Sequence, residues 1–147
     1  MIRRKVWSLA LGVTLAACQP SADGRGDGIT MDEAEAFDAI GPDETVEFAG
    51  TEPFWGGEVS GGTMRYTTPE NIDGVEVAVE RFAGNNGMSF SGEYEGQPLD
   101  MAVTPGGCSD GMSDRTYPFV VTLQIAGETR SGCAWTEASP FEGPEAP

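Results

Sequence analysis

Two short stretches carry the side chains from which chemistry or recognition could be built. Glu52, Phe54 and Trp55 lie together in Gly50-Thr51-Glu52-Pro53-Phe54-Trp55, a carboxylate beside two aromatic rings. Such a set offers a stacking face and an acceptor, the parts of a contact surface for a sugar or a peptide. In a strand, Phe54 and Trp55 would point to opposite faces, so one ring fills an interior while the other covers an end or meets solvent. The second stretch, Ser109-Asp110-Gly111-Met112-Ser113-Asp114-Arg115, sets two Asp and two Ser around a glycine. Ser and Asp side chains cap their own backbone, which reads as a tight acidic turn. The same oxygens would also suit a hard cation such as Ca²⁺, but the spacing and bidentate Glu of an EF-hand are absent. Asp110, Ser113, Asp114 and Arg115 therefore join Glu52, Phe54 and Trp55 as candidate binding residues.

Catalytic chemistry has few parts to work with. The chain has no histidine, so neither a Ser-His nor a Cys-His arrangement can form, and the usual zinc sites are excluded. A pair of carboxylates can serve a glycosidase as acid and base. Among 24 acidic residues, however, some pair is always close, so their abundance selects no site. The expectation is a non-catalytic protein without metal or cofactor.

The cysteines divide into one and two. Met1-Ile2-Arg3-Arg4-Lys5 precedes an apolar run from Val6 to Ala17, the form of a secretory signal peptide and too short to span a bilayer as a helix. The run ends Leu15-Ala16-Ala17-Cys18, which resembles a lipobox. The resemblance implies cleavage before Cys18 and acylation of that residue, and several acyl chains anchor a protein stably. Gln19 follows where inner-membrane lipoproteins carry Asp, pointing to the outer membrane, with the domain facing the periplasm. With Cys18 lipidated, Cys108 and Cys133 remain as an even pair in an oxidising compartment, and a disulfide between them is expected. Loss of Arg3, Arg4 and Lys5 takes the net charge from −16 to −19. Such a chain repels nucleic acid and anionic surfaces and attracts basic proteins or cations.

The elements that must position these residues are strands. Phe119, Val121, Leu123 and Ile125 alternate with Val120, Thr122 and Gln124, the period of a half-buried strand. After the Ala126-Gly127-Glu128 reversal, Ser131, Cys133 and Trp135 share one face of the return strand, with Trp135 expected in the core. Strand signals recur upstream from Thr45, and Asn86-Gly87 suits a type I′ turn. The count reaches eight, which suggests an all-β fold, a small antiparallel eight-stranded barrel or sandwich. A barrel of this size either fills with side chains or holds one small ligand. Residues 1–17 read as signal peptide, 18–29 as a flexible tether, 45–137 as the barrel and 138–147 as a disordered tail. Thr30-Met31-Asp32-Glu33 has the form of a capping box, so 30–41 reads as a short acidic helix with Phe37 and Ile40 docking on the domain.

GTEPFW (50–55), YTTPE (66–70), CSDGMSDRTYPF (108–119) and GCAW (132–135) together resemble the signature of an uncharacterised family of bacterial envelope lipoproteins. The resemblance spans roughly 45–135 and implies a secreted small β domain with no assigned activity. Looser similarities are to META-type lipoproteins and to lipoprotein inhibitors of c-type lysozyme. The latter carry an SGxxY motif, against which Ser91-Gly92-Glu93-Tyr94 is one residue short. The function expected is that of a lipid-anchored binding or structural module of the envelope, with a basic envelope protein or a small ligand as partner.

Overall fold

The computed structural model describes residues 35–144. Eight strands follow in chain order: β1 (Val46–Thr51), β2 (Phe54–Ser60), β3 (Thr63–Thr68), β4 (Asn71–Ala83), β5 (Met88–Tyr94), β6 (Gln97–Cys108), β7 (Tyr117–Ile125) and β8 (Glu128–Trp135). Each pairs antiparallel with the next, and β8 returns to β1 through Glu47↔Trp135, Phe48↔Ala134 and Ala49↔Cys133. The result is a closed up-and-down barrel, in which every strand has a neighbour on both sides.

The alternation in sequence is the alternation of the wall. Phe119, Val121, Leu123 and Ile125 of β7 face inward beside Leu99, Met101 and Val103 of β6, all buried. Phe48, Trp55, Met64, Tyr66 and Phe90 fill the rest, so the lumen is a packed core. Two-residue reversals occur at Gly61-Gly62, Glu95-Gly96 and Ala126-Gly127, each with both residues at positive φ, which matches the right-handed twist of the flanking strands. The expected type I′ turn at Asn86-Gly87 does not form. Ala83 pairs with Met88, leaving a four-residue loop closed by the Gly84 N–H donating to the Gly87 carbonyl at 2.9 Å.

Three further expectations need correction. The proposed helix over 30–41 lies partly outside the described residues, and its described part, 35–41, has no helix. There the Phe37 N–H donates to the Gly84 carbonyl at 2.6 Å, a partner outside its own segment. Phe37 and Ile40 nevertheless dock as expected. Phe37 meets Phe119 edge-on at 6.4 Å, Ile40 is 1% exposed, and Arg81 donates to the Ile40 carbonyl at 2.8 Å. Second, the described part of the tail expected to be disordered, 138–144, packs on the barrel. Glu142 and Thr116 exchange both backbone hydrogen bonds, and Phe141 packs on Tyr117 and Trp135. Third, Trp135 is not in the lumen. Ala134 and Gly132 face inward opposite Phe119 and Val121, which turns Cys133 and Trp135 outward, and Trp135 is half-buried beneath Phe141.

The two ends differ. Before β1 the chain lies across the end marked by the 60–63 and 83–88 turns, where Ile40 and Phe37 close it. The opposite end carries the reversals at 51–54, 68–71, 94–97 and 125–128.

Candidate functional site

At that opposite end, glycine decides where the indole of Trp55 goes. A Cβ on Gly50 would lie 2.1 Å from Trp55 Nε1, and one on Gly132 would lie 2.3 Å from the Ala49 carbonyl and 3.0 Å from Trp55 Cζ2. The ring therefore lies flush against the inner surface of β1 and β8. It is 4% exposed and packs with Phe48 at 5.7 Å and Tyr66 at 6.3 Å. Trp55 is thus a filler of the lumen and not a contact residue as expected. Its Nε1 is buried with no acceptor among the described residues. Phe54 points the other way and is 53% exposed. Glu52 is exposed beside it.

The mouth of the lumen is closed from within. Arg130 donates through Nη1 to the Tyr66 hydroxyl and pairs with Glu128 at 2.9 Å. Tyr94 packs edge-on against Tyr66 at 6.0 Å. Burial pushes the Tyr66 hydroxyl above its ordinary pKa, against the opposing pull of the Arg130 charge.

The acidic loop is built around Asp110. Its Oδ1 accepts the N–H groups of Met112 and Ser113 at 2.9 and 2.8 Å. Its Oδ2 accepts the hydroxyls of Ser113 and Tyr117 at 2.7 and 3.1 Å. The Ser113 backbone bond, then the Ser113 hydroxyl and the Met112 N–H, hold the carboxyl far below the usual carboxylate range. A carboxylate has about four acceptor positions, and the loop together with Tyr117 of β7 occupies them. Asp110 and Ser113 therefore organise a turn and have little left for a cation. Among the described residues no group of three or more metal-ligating side chains is placed to hold an ion.

This loop leaves β6 at the closed end but folds back over the outer wall. The Cys108–Cys133 disulfide, with Cα atoms 5.6 Å apart, pins its start to β8. The Thr51 hydroxyl donates to the Asp110 carbonyl at 3.0 Å, tying it to the β1–β2 reversal. Glu52, Phe54, Asp110 and Met112 then share a cleft of roughly 680 Å³ with Thr129 and Ser131 in its wall. On the other flank of Phe54 lies a mostly apolar groove of roughly 430 Å³, walled by Phe54, Thr68, Pro69 and Ile72 with Trp55 and Asp110 at its margin.

The structure thus brings Glu52, Phe54 and Asp110 together. Asp114 is exposed and Arg115 turns away, its guanidinium 4.4 Å from the Phe141 ring and its Nε donating to the Pro144 carbonyl at 2.8 Å. Ile72 and Met112, 77% and 68% exposed, complete the surface and were not among the sequence candidates. Ile72 is the second residue of β4, between Asn71 and Asp73, so its only signal in the sequence is an isoleucine between two polar residues. Of the four segments quoted for the family resemblance, 50–55 and 66–70 supply walls of the groove, residues 109–112 of the 108–119 segment line the cleft, and 132–135 carries the disulfide. Ser91-Gly92-Glu93-Tyr94, by contrast, is part of the wall. The Ser91 hydroxyl donates to Asp100 at 2.7 Å, a Cβ on Gly92 would lie 2.5 Å from the Ala78 carbonyl, and Tyr94 packs on Tyr66.

Comparison with known protein families, characterised proteins and solved structures returned no match.

Proposed function

We propose that the chain is a lipid-anchored lipoprotein of the bacterial envelope whose barrel is a non-catalytic binding module. The signal-peptide pattern and Cys18 support the anchor, and the even pair of remaining cysteines, joined as a disulfide, suits an oxidising compartment. Cys18, Gln19 and the tether lie outside the described residues, and placement at the outer membrane rests on Gln19. Mass spectrometry of the membrane-extracted chain checks the anchor: an acylated N-terminal cysteine is expected, and its absence removes this part of the reading.

One observation carries the binding function. The lumen is filled, while the groove flanked by Phe54 and Ile72 lies uncovered on the outside. Large exposed apolar side chains grouped on a small domain mark interaction surfaces. The groove's walls come from separate turns of a closed barrel, a rigid frame that limits the ordering cost of binding. The partner is a protein surface or peptide with an apolar anchor. The full chain in mild detergent, immobilised and exposed to envelope extract, should retain a discrete protein at stoichiometric level. Retention unchanged by F54A/I72S would remove the groove as the binding site.

The acidic charge favours a second reading, binding of a basic partner such as a c-type lysozyme. An inhibition assay with a basic lysozyme separates it from the first reading.

A further inference from the structure

The outward turn of Trp135 creates a second recessed surface. Trp135 and Phe141, both half-buried, meet edge to face at 5.9 Å and 85°. Glu47 lies directly opposite Trp135 on β1, and Glu137 follows two residues beyond the ring. These side chains and Pro140 wall a cleft of roughly 540 Å³. An adjoining hollow of roughly 400 Å³ shares Glu47 and Glu137 with it and adds Asp43 and Glu44.

The charges are not balanced locally. Glu44 is engaged, accepting from the Gly41 N–H and from the Thr136 hydroxyl at 3.1 Å. Glu47 and Glu137 make no ion pair or side-chain hydrogen bond among the described residues, whose two ion pairs are Glu58–Arg65 and Glu128–Arg130. The neighbouring base, Arg115, stacks on Phe141 and does not wall the cleft.

We infer that this cleft receives an arginine or lysine side chain of a basic protein partner. An aromatic face attracts a cation through its quadrupole, and carboxylates, which only accept hydrogen bonds, complete the shell of an ammonium or guanidinium group. The strongly negative chain steers such a group inward. Glu47 and Thr51 are four residues apart on β1, roughly 13 Å along a strand. A segment with a base and an apolar residue about four extended positions apart therefore reaches both this cleft and the groove beside Phe54. The protein nature of the occupant and this spacing rest on the binding function proposed above; the preference for a cation rests on the cleft alone.

The test uses the full ¹⁵N-labelled chain in detergent and follows the Trp135 indole N–H, assigned by its loss in Trp135→Phe. The probe is a short Gly/Ser peptide carrying Arg and Leu four positions apart, with a twin in which citrulline replaces Arg. At physiological salt the Arg peptide should shift the Trp135 signal saturably. The citrulline twin and the E47Q/E137Q chain should each weaken binding about tenfold. Equal shifts from both peptides, or no saturable shift at millimolar peptide, would overturn the inference. Phe54→Ala separates the two readings. Binding weakened several-fold supports one partner spanning both surfaces, whereas unchanged binding keeps the cation cleft and overturns the shared partner.

Discussion

Phe82 and Phe54 are both exposed phenylalanines, 68% and 53%, and they mark opposite ends of the barrel. Beside Phe82 the chain covers its own end: Ile40 is buried, Phe37 packs on Phe119 and Arg81 holds the Ile40 carbonyl. Beside Phe54 the mouth is closed from inside by Trp55, Tyr66 and Arg130, and the apolar groove next to Ile72 stays open. A similar exposed ring therefore has a different meaning at each end. At one it borders a surface the protein has already covered, and at the other it borders an uncovered groove. The covered end is also where the described segment before β1 lies.

The sharpest way to break this contrast is to free the loop that builds the cleft. Replacing Cys108 and Cys133 with serine releases a closure of 25 residues, worth about 3.5 kcal/mol on chain-entropy grounds. That is a large part of the roughly 5–15 kcal/mol stability of a small domain. Chemical denaturation should report a loss of that order, together with increased exchange at the amides of Met112 and Ser113. Next in size, Ile40→Ala opens the covered end and should cost about 2–3 kcal/mol without changing partner capture. A third variant, Asp110→Ala, tests the loop's own scaffold. Asp110 is held below its ordinary pKa when folded. Its contribution is therefore complete above the unfolded carboxylate value near pH 3.9 and fades as pH falls toward the lower folded value. The expected loss at pH 7 is about 1 kcal/mol, kept small by solvent screening, and the gap from the parent should close progressively in acid melts. The smallest stability effect belongs to F54A/I72S, within about 0.5 kcal/mol, yet this pair should remove retention of the partner.

Much of the architecture was legible because a half-buried strand writes its period into the sequence. Val121, Leu123 and Ile125 gave the inner face of β7, and the count of eight strands, the closed barrel and the Cys108–Cys133 bridge agree with the structure. Short-range patterns were less secure. Asn86-Gly87 has the composition of a tight turn, but pairing of Ala83 with Met88 set a longer loop. Trp135 reads as core because tryptophan is large and apolar, yet pairing of Ala134 with Phe119 fixed its face. Phe141 lies in a Pro/Gly/Glu-rich tail, and it is held by tertiary contacts with Trp135, Tyr117 and Arg115 and by the Thr116–Glu142 bridge beside it. The candidate site was half legible. Glu52, Phe54 and Asp110 converge, whereas Trp55 fills the lumen, Arg115 holds the tail, and Asp110 and Ser113 serve their own turn. Ile72, Met112 and the Glu47–Trp135–Glu137 cleft depend on β1 meeting β8 and on the loop folding back. No local spacing encodes either contact.

The most direct test compares the two exposed phenylalanines. A photo-crosslinking phenylalanine analogue is placed at position 54 or at position 82 of the full chain, and intact envelopes are irradiated. The expected result is a discrete protein adduct from position 54 and none from position 82. Adducts of equal yield from both positions, or from 82 alone, would contradict the assignment of recognition to the Phe54 end.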